Sequence, residues 1–166
     1  MSKEATIDVD IQYTIDDFVN AWQFYRSSHW IGRFGKYLAI VVGLIGVFLL
    51  LNGYYFYALL FILIAMETYF DIFGQLQGKN CYRANEKLLE NNLSASIDEE
   101  GISIESQSYD ARRLWSGYIN FMESEDAFLL FSGKGIFAVY PKRIFNDLTQ
   151  INQFRELLAS KIVVNG

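Results

Sequence analysis

Residues 37–66 read YLAIVVGLIGVFLLLNGYYFYALLFILIAM, an unbroken run of uncharged side chains, and the rest of the chain is read outward from it. A hydrocarbon core of about 30 Å needs roughly 20 apolar residues in a helix. As one straight helix the run would reach about 45 Å at ~1.5 Å per residue, too long for a single crossing without heavy tilt. Asn52-Gly53 interrupts it, and both residues tolerate the left-handed backbone that a chain reversal demands. The pattern predicts a transmembrane helical hairpin over residues 30–74, with arms at 34–51 and 54–73.

Residues 37–51 alone span only about 22 Å, so the first arm recruits Trp30, Ile31 and Phe34 while Arg33 and Lys36 reach outward. Ala39, Gly43 and Gly46 share one side of the first arm, and Ala58 and Ala65 one side of the second. Such small residues allow the close backbone approach by which membrane helices associate, although glycine and alanine are also simply common in spans. Arg26, Arg33 and Lys36 precede the hairpin, Lys79, Arg83 and Lys87 follow it, and the turn carries no charge. The positive-inside rule then puts both termini in the cytoplasm and the turn outside, in a cytoplasmic (inner) membrane. Trp22, Trp30, Phe34 and Tyr37, with Tyr69, Phe70 and Phe73, supply interfacial aromatic belts.

Glu67 and Asp71 lie about 20 and 26 Å along the second arm, level with the inner headgroups and not the midplane. Two readings stand: interfacial carboxylates with water, Lys79 and Arg33 as neighbours, or functional buried acids.

The chain has 166 residues and a formal charge of −5, with one cysteine and one histidine. Beside the hairpin there is room for one small domain. The acidity argues against nucleic acid, whose phosphates call for clustered basic residues. Cys81 alone makes neither a disulfide framework nor a thiolate metal site, and His29 alone removes paired-histidine metal sites. No nucleophile stands near the histidine, and no glycine-rich phosphate loop follows a strand, so neither an enzyme nor a cofactor is expected. The opening stretch is polar and the apolar run comes too late and is too long for a cleaved leader.

Residues 1–29 hold a strand and a helix. Ile7, Val9, Ile11 and Tyr13 alternate with polar residues, the mark of a half-buried strand that must pair with something later in the chain. Thr14 is a good helix cap, with Asp17 at the capping-box position. Phe18, Trp22, Tyr25 and His29 then share a face that packs on the sheet or lies in the headgroup region. A connecting helix is expected over 75–92, with Gly78 a candidate break and Lys79, Arg83 and Lys87 a solvated stripe suited to anionic lipid.

Residues 93–166 change texture. Segments 93–97, 101–105, 109–115, 118–123, 127–131 and 136–140 are strand-like and separated by turn residues, an antiparallel meander. Residues 128–131 and 136–139 are apolar on both faces and call for cover on both. Pro141 ends the last strand. Asn146 or Asp147 caps a final helix whose apolar stripe is Leu148, Ile151, Phe154 and Leu158, with Arg155 among the residues facing water. The fold class expected is an α+β membrane protein: a transmembrane helical hairpin plus a small antiparallel β-barrel or sheet closed by a C-terminal helix, pleckstrin-homology-like, the hairpin inserted after the first strand and helix.

Thr-x-Asp-Asp-Phe (14–18), two close spans, Trp115-Ser116 on a middle strand, and Pro-Lys-Arg-x-Phe (141–145) before a last helix together resemble the YcxB-like family of bacterial membrane proteins. The resemblance implies a two-span inner-membrane protein with a pleckstrin-homology-like cytosolic domain, and carries over no catalytic or binding residue. Tyr118 and Asn120 depart from its pattern, which puts any shared surface on that strand in doubt.

Lys142 and Arg143, beside a rigid proline and followed by Ile144 and Phe145, are the best candidate site. They can clamp a lipid headgroup, a phosphate or an acidic partner segment, or else pair with acidic side chains of their own domain. Trp115 is a ligand platform or, more simply, core. The expected role is a non-enzymatic module tethered to the lipid bilayer, binding anionic lipid headgroups or a membrane-proximal protein. The alternative is a small subunit of an oligomeric transporter or channel, with Glu67 and Asp71 lining a path.

Overall fold

A computed structural model describes residues 6–28, 30–89, 93–106 and 109–162, and only the backbone of 30–33, 87, 88 and 109. Expectations for His29, and for the side chains of Trp30, Ile31, Arg33 and Lys87, lie outside what is described. The chain divides into a helical unit, Phe18–Cys81, inserted into a β unit made of Met1–Asp17 and Tyr82–Gly166.

Helix α1 (Ile15–Ser28) begins where Thr14 meets Asp17. The Thr14 N–H donates to the Asp17 carboxylate at 2.7 Å and its hydroxyl donates at 3.0 Å, so the acid reaches back over the helix start as a capping box requires. Helix α2 (Trp30–Leu51) and helix α3 (Tyr55–Phe70) run antiparallel on either side of Asn52 and Gly53. Gly53 takes φ 82°, the left-handed region that glycine enters without steric cost, and the Asn52 amide donates to the Phe48 carbonyl at 2.8 Å.

The two arms meet through small residues. Ala39 and Ala58 are buried, Gly43 faces Ala65, and a methyl added to Gly46 would sit 2.9 Å from Ile62 Cγ1. The large apolar side chains point the other way: Phe48 is 64% exposed and Phe56 76%. Among the described residues α2 is the one helix long and apolar enough by itself to cross a membrane.

The second arm differs from its expected course. It breaks at Asp71, and helix α4 (Ile72–Ala84) departs at 58° from α3. Asp71 adopts φ 50°, ψ 49°, and its N–H still donates to the Glu67 carbonyl at 2.8 Å. Aspartate is among the few non-glycine residues that visit this region. The connecting helix is correspondingly split, α4 being followed by the single turn α5 (Glu86–Leu89). Gly78 is not the break. It lies buried in the middle of α4, where a Cβ would stand 2.6 Å from Val19 Cα, so its lack of a side chain lets α1 and α4 touch backbone to backbone.

In the β unit, strand β1 (Ile7–Ile11) pairs antiparallel with β2 (Leu93–Ile97), Ile7 opposite Ile97 and Ile11 opposite Leu93. Neighbours in one sheet therefore come from opposite sides of the helical insertion. β3 (Gly101–Ser106) and β4 (Tyr109–Leu114) complete a four-stranded sheet, and β5 (Asn120–Glu123), β6 (Ala127–Gly133) and β7 (Ile136–Pro141) form a three-stranded one. All pairings are antiparallel. The sheets are joined by a short 3-10 turn, Trp115–Gly117, that shortens the expected strands on both sides of it.

Helix α6 (Leu148–Lys161) closes the unit, capped by Asp147, whose carboxylate accepts from the Gln150 N–H at 2.8 Å. Phe154 is fully buried, its ring 5.1 Å from Phe128, 5.2 Å from Phe145 and 5.9 Å from Tyr140. The unit is thus α+β, with antiparallel sheets and a C-terminal helix. Two details depart from the expected pattern. Leu148 is 76% exposed, and the covered stripe begins at Ile151. Ala127–Phe131 is buried on both faces as its composition demands, but Ile136, at the hairpin end opposite Gly133, is open to solvent and β7 becomes buried only from Val139.

Candidate functional site

Pro141, at the end of β7, directs the chain into a 3-10 turn, Lys142–Ile144, anchored by Ile144 and Phe145 in the core. The two basic residues then part. The Arg143 guanidinium grips both carboxylate oxygens of Asp17, donating to Oδ2 at 2.6 Å, and donates to the Gln12 carbonyl at 2.9 Å. Asp17, which also caps α1, has its side chain only 8% exposed. Lys142 Nζ lies 2.7 Å from Glu123 Oε1 and 5.3 Å from the centre of the Phe128 ring. Arg155, expected to face water, donates to the same carboxylate at 2.8 and 2.7 Å. These hydrogen bonds from Arg155, helped by Lys142 and against partial burial, hold the Glu123 carboxyl down to about 2. The basic pair therefore serves two separate ion pairs, and the two cations do not converge on one ligand.

Trp115 is 5% exposed and its indole N–H donates to the Asp98 carbonyl at 3.0 Å, which makes it a core residue tied to the β2–β3 turn. Asp98 completes that turn by accepting from the N–H groups of Glu100 and Gly101 and from Arg112. Partial burial alone would raise the Asp98 carboxyl, but these bonds outweigh it and hold it below its ordinary value. Tyr13 hangs its hydroxyl inward on the Val139 carbonyl at 2.7 Å, and burial pushes it well above the ordinary phenol value. Among the described residues no buried side-chain nitrogen or oxygen is left without a hydrogen bond.

Glu67 and Asp71 do come together, in the helical unit. Glu67, in the last turn of α3, and Asp71, at the break that follows it, converge on Arg26 from the end of α1, at 3.3 Å to Glu67 and 2.9 Å to Asp71. Lys79 and Arg33 had been expected as their neighbours. Lys79 makes no ion pair among the described residues, and the Arg33 side chain is outside them. Arg26, Glu67 and Asp71 line one cleft of about 710 Å³, together with Gln23, Lys36 and Thr68. Thr68 packs beside Gly35 at its floor, where a Cβ on the glycine would meet its methyl at 3.6 Å.

Sequence reasoning missed Arg26, Asp17 and Glu123 as partners. The i, i+4 spacing of Glu67 and Asp71 signals that they share a cation, but which cation is a long-range matter that spacing along the chain does not carry.

Residues 97–158, from the end of β2 to the last turns of α6, match the family model described as YcxB-like protein, which supports that family for this segment of the β unit. No curated protein and no solved structure matches the chain.

Proposed function

We propose that the whole chain is a YcxB-like protein acting as a membrane-anchored, non-enzymatic interaction module. Its α2–α3 hairpin crosses an inner membrane with both termini cytoplasmic, and a pleckstrin-homology-like β unit works at the cytoplasmic face on lipid headgroups or a protein partner. The observation that carries the reading is the inverted build of the hairpin, with alanine and glycine between the helices and phenylalanine and leucine outside. In water so much contiguous apolar surface would drive association. In lipid it is the expected outer face, and small residues are the expected seam.

The order of four strands, three strands and a closing helix supports the pleckstrin-homology-like assignment. The chain enters and leaves the hairpin between two hydrogen-bonded strands, so the β unit is tethered at two points. The partnering of Arg26 with both carboxylates favours this role over the transporter-subunit reading, since a path for ions calls for groups that face it.

The test is made in intact cells. The chain should resist alkaline extraction, and Asn52→Cys in a Cys81→Ser background should be labelled from outside by an impermeant maleimide. Release by alkali, or labelling that requires lysis, would overturn the reading.

A further inference from the structure

The cleft at the open end of the hairpin carries charges of both signs, and they do not cancel within one cluster. One guanidinium, Arg26, serves two carboxylates, Glu67 and Asp71, so that wall retains a formal excess of one negative charge. Lys36, on α2, lines the same cleft and makes no ion pair among the described residues. The volume of about 710 Å³ lies in the range of small-ligand sites, roughly 300–1,000 Å³. Tyr69 and Phe70, also at its rim, are half exposed beside the apolar outer face of α3.

We infer that this cleft binds a phospholipid whose headgroup is a phosphate joined to a primary amine, its ammonium against Glu67 and Asp71 and its phosphate against Lys36. The assignment rests on the membrane reading above, which puts this end of the hairpin at headgroup level. Two carboxylates sharing one arginine retain lone pairs for further donors, since each carboxylate offers about four acceptor sites. A primary ammonium has three N–H donors to fill them, whereas a quaternary amine has none. Lysine supplies a point charge for phosphate. A headgroup with a phosphate and no amine would complement Lys36 and be repelled by the acidic wall. The exposed apolar side chains of α3 and α2 give the acyl chains a surface that continues from the rim.

The experiment uses the full chain purified in detergent and native mass spectrometry with added phosphatidylethanolamine, phosphatidylcholine or phosphatidylglycerol. Retention of the ethanolamine lipid should exceed that of the choline lipid about tenfold, the scale of one charge-assisted hydrogen bond. Glu67→Gln with Asp71→Asn should abolish the preference. Lys36→Gln, at an exposed position that leaves the helix packing alone, should weaken retention of both zwitterionic lipids and tests the site should the double variant not fold. Equal retention of ethanolamine and choline lipids, a preference for phosphatidylglycerol, or soluble phosphoethanolamine matching the lipid mole for mole would each overturn the inference. A chain that resists alkaline extraction yet shows no headgroup preference sinks this inference alone, whereas a chain released by alkali sinks the membrane reading with it.

Discussion

In the helical unit large apolar side chains turn away from the neighbouring helix and small ones meet, while in the β unit the large ones meet and the polar ones turn away. Phe48 and Phe154 make the contrast concrete. Both are helical phenylalanines in chains of apolar neighbours, yet one is 64% exposed and the other fully buried. Burial of an aromatic ring removes area from water and fills space among close-packed atoms, and both terms are lost on truncation. A side chain that already faces the solvent loses neither. The same residue type thus faces outward in one unit and inward in the other.

The sharpest way to break that contrast is to truncate both rings. Phe154→Ala should cost about 3–5 kcal/mol, because the ring fills the space between Phe128, Phe145 and Tyr140. Phe48→Ala should stay within about 0.5 kcal/mol in detergent, as for a largely exposed residue with few protein contacts to lose. Denaturant unfolding of the full chain measures both. Comparable losses would mean that the outer face of α2 packs against protein after all.

Much of the β unit could be read from its amino-acid order. Period-two alternation located β1 and β2, and turn residues located most strand ends, because these are local signals. The cap of α6 could be narrowed to Asn146 or Asp147 for the same reason, and it is Asp147. Long-range choices could not be read. Nothing near Arg143 in the chain points to Asp17, and nothing near Lys142 points to Glu123, although both cations were legible as a candidate pair. The break at Asp71 escaped because the flanking sequence is helical on either side, and the partner that Asp71 meets, Arg26, is far away in the chain. Gly78 was legible as exceptional, but a glycine that breaks a helix and one that admits a neighbouring backbone look the same in one dimension.

Glycines sharpen the contrast within the helical unit. A methyl at Gly78 would meet the backbone of Val19, which cannot give way as a side chain does, so Gly78→Ala should destabilise by about 1–3 kcal/mol. Gly43→Ala meets only the Ala65 methyl at 3.6 Å, an ordinary contact, and should be near neutral. Thermal unfolding in detergent, with helix content followed by circular dichroism, separates the two. Equal effects would indicate that small residues here are tolerated and not required.

The charge clusters complete the comparison, one inverted relative to the other. In the helical unit one arginine serves two carboxylates, whereas in the β unit Lys142 and Arg155 serve one, Glu123. The second arrangement has a definite pH signature. Glu123 ionises at about 2 in the folded chain against 4.5 for an ordinary glutamate, so the folded state releases its proton more readily than the unfolded one. Its contribution is complete above about pH 5 and is lost as the pH falls from there through about 2, below which both states are protonated. With the side chain 26% exposed, solvent screening reduces this to about 1 kcal/mol. Glu123→Gln should therefore lower stability at pH 7 by about that amount, with the difference shrinking steadily from pH 5 to pH 2 and vanishing only below it. A gap that persists unchanged to pH 2 would show that Glu123 acts through packing and not through its charge, and the two clusters would then differ in more than the count of their cations.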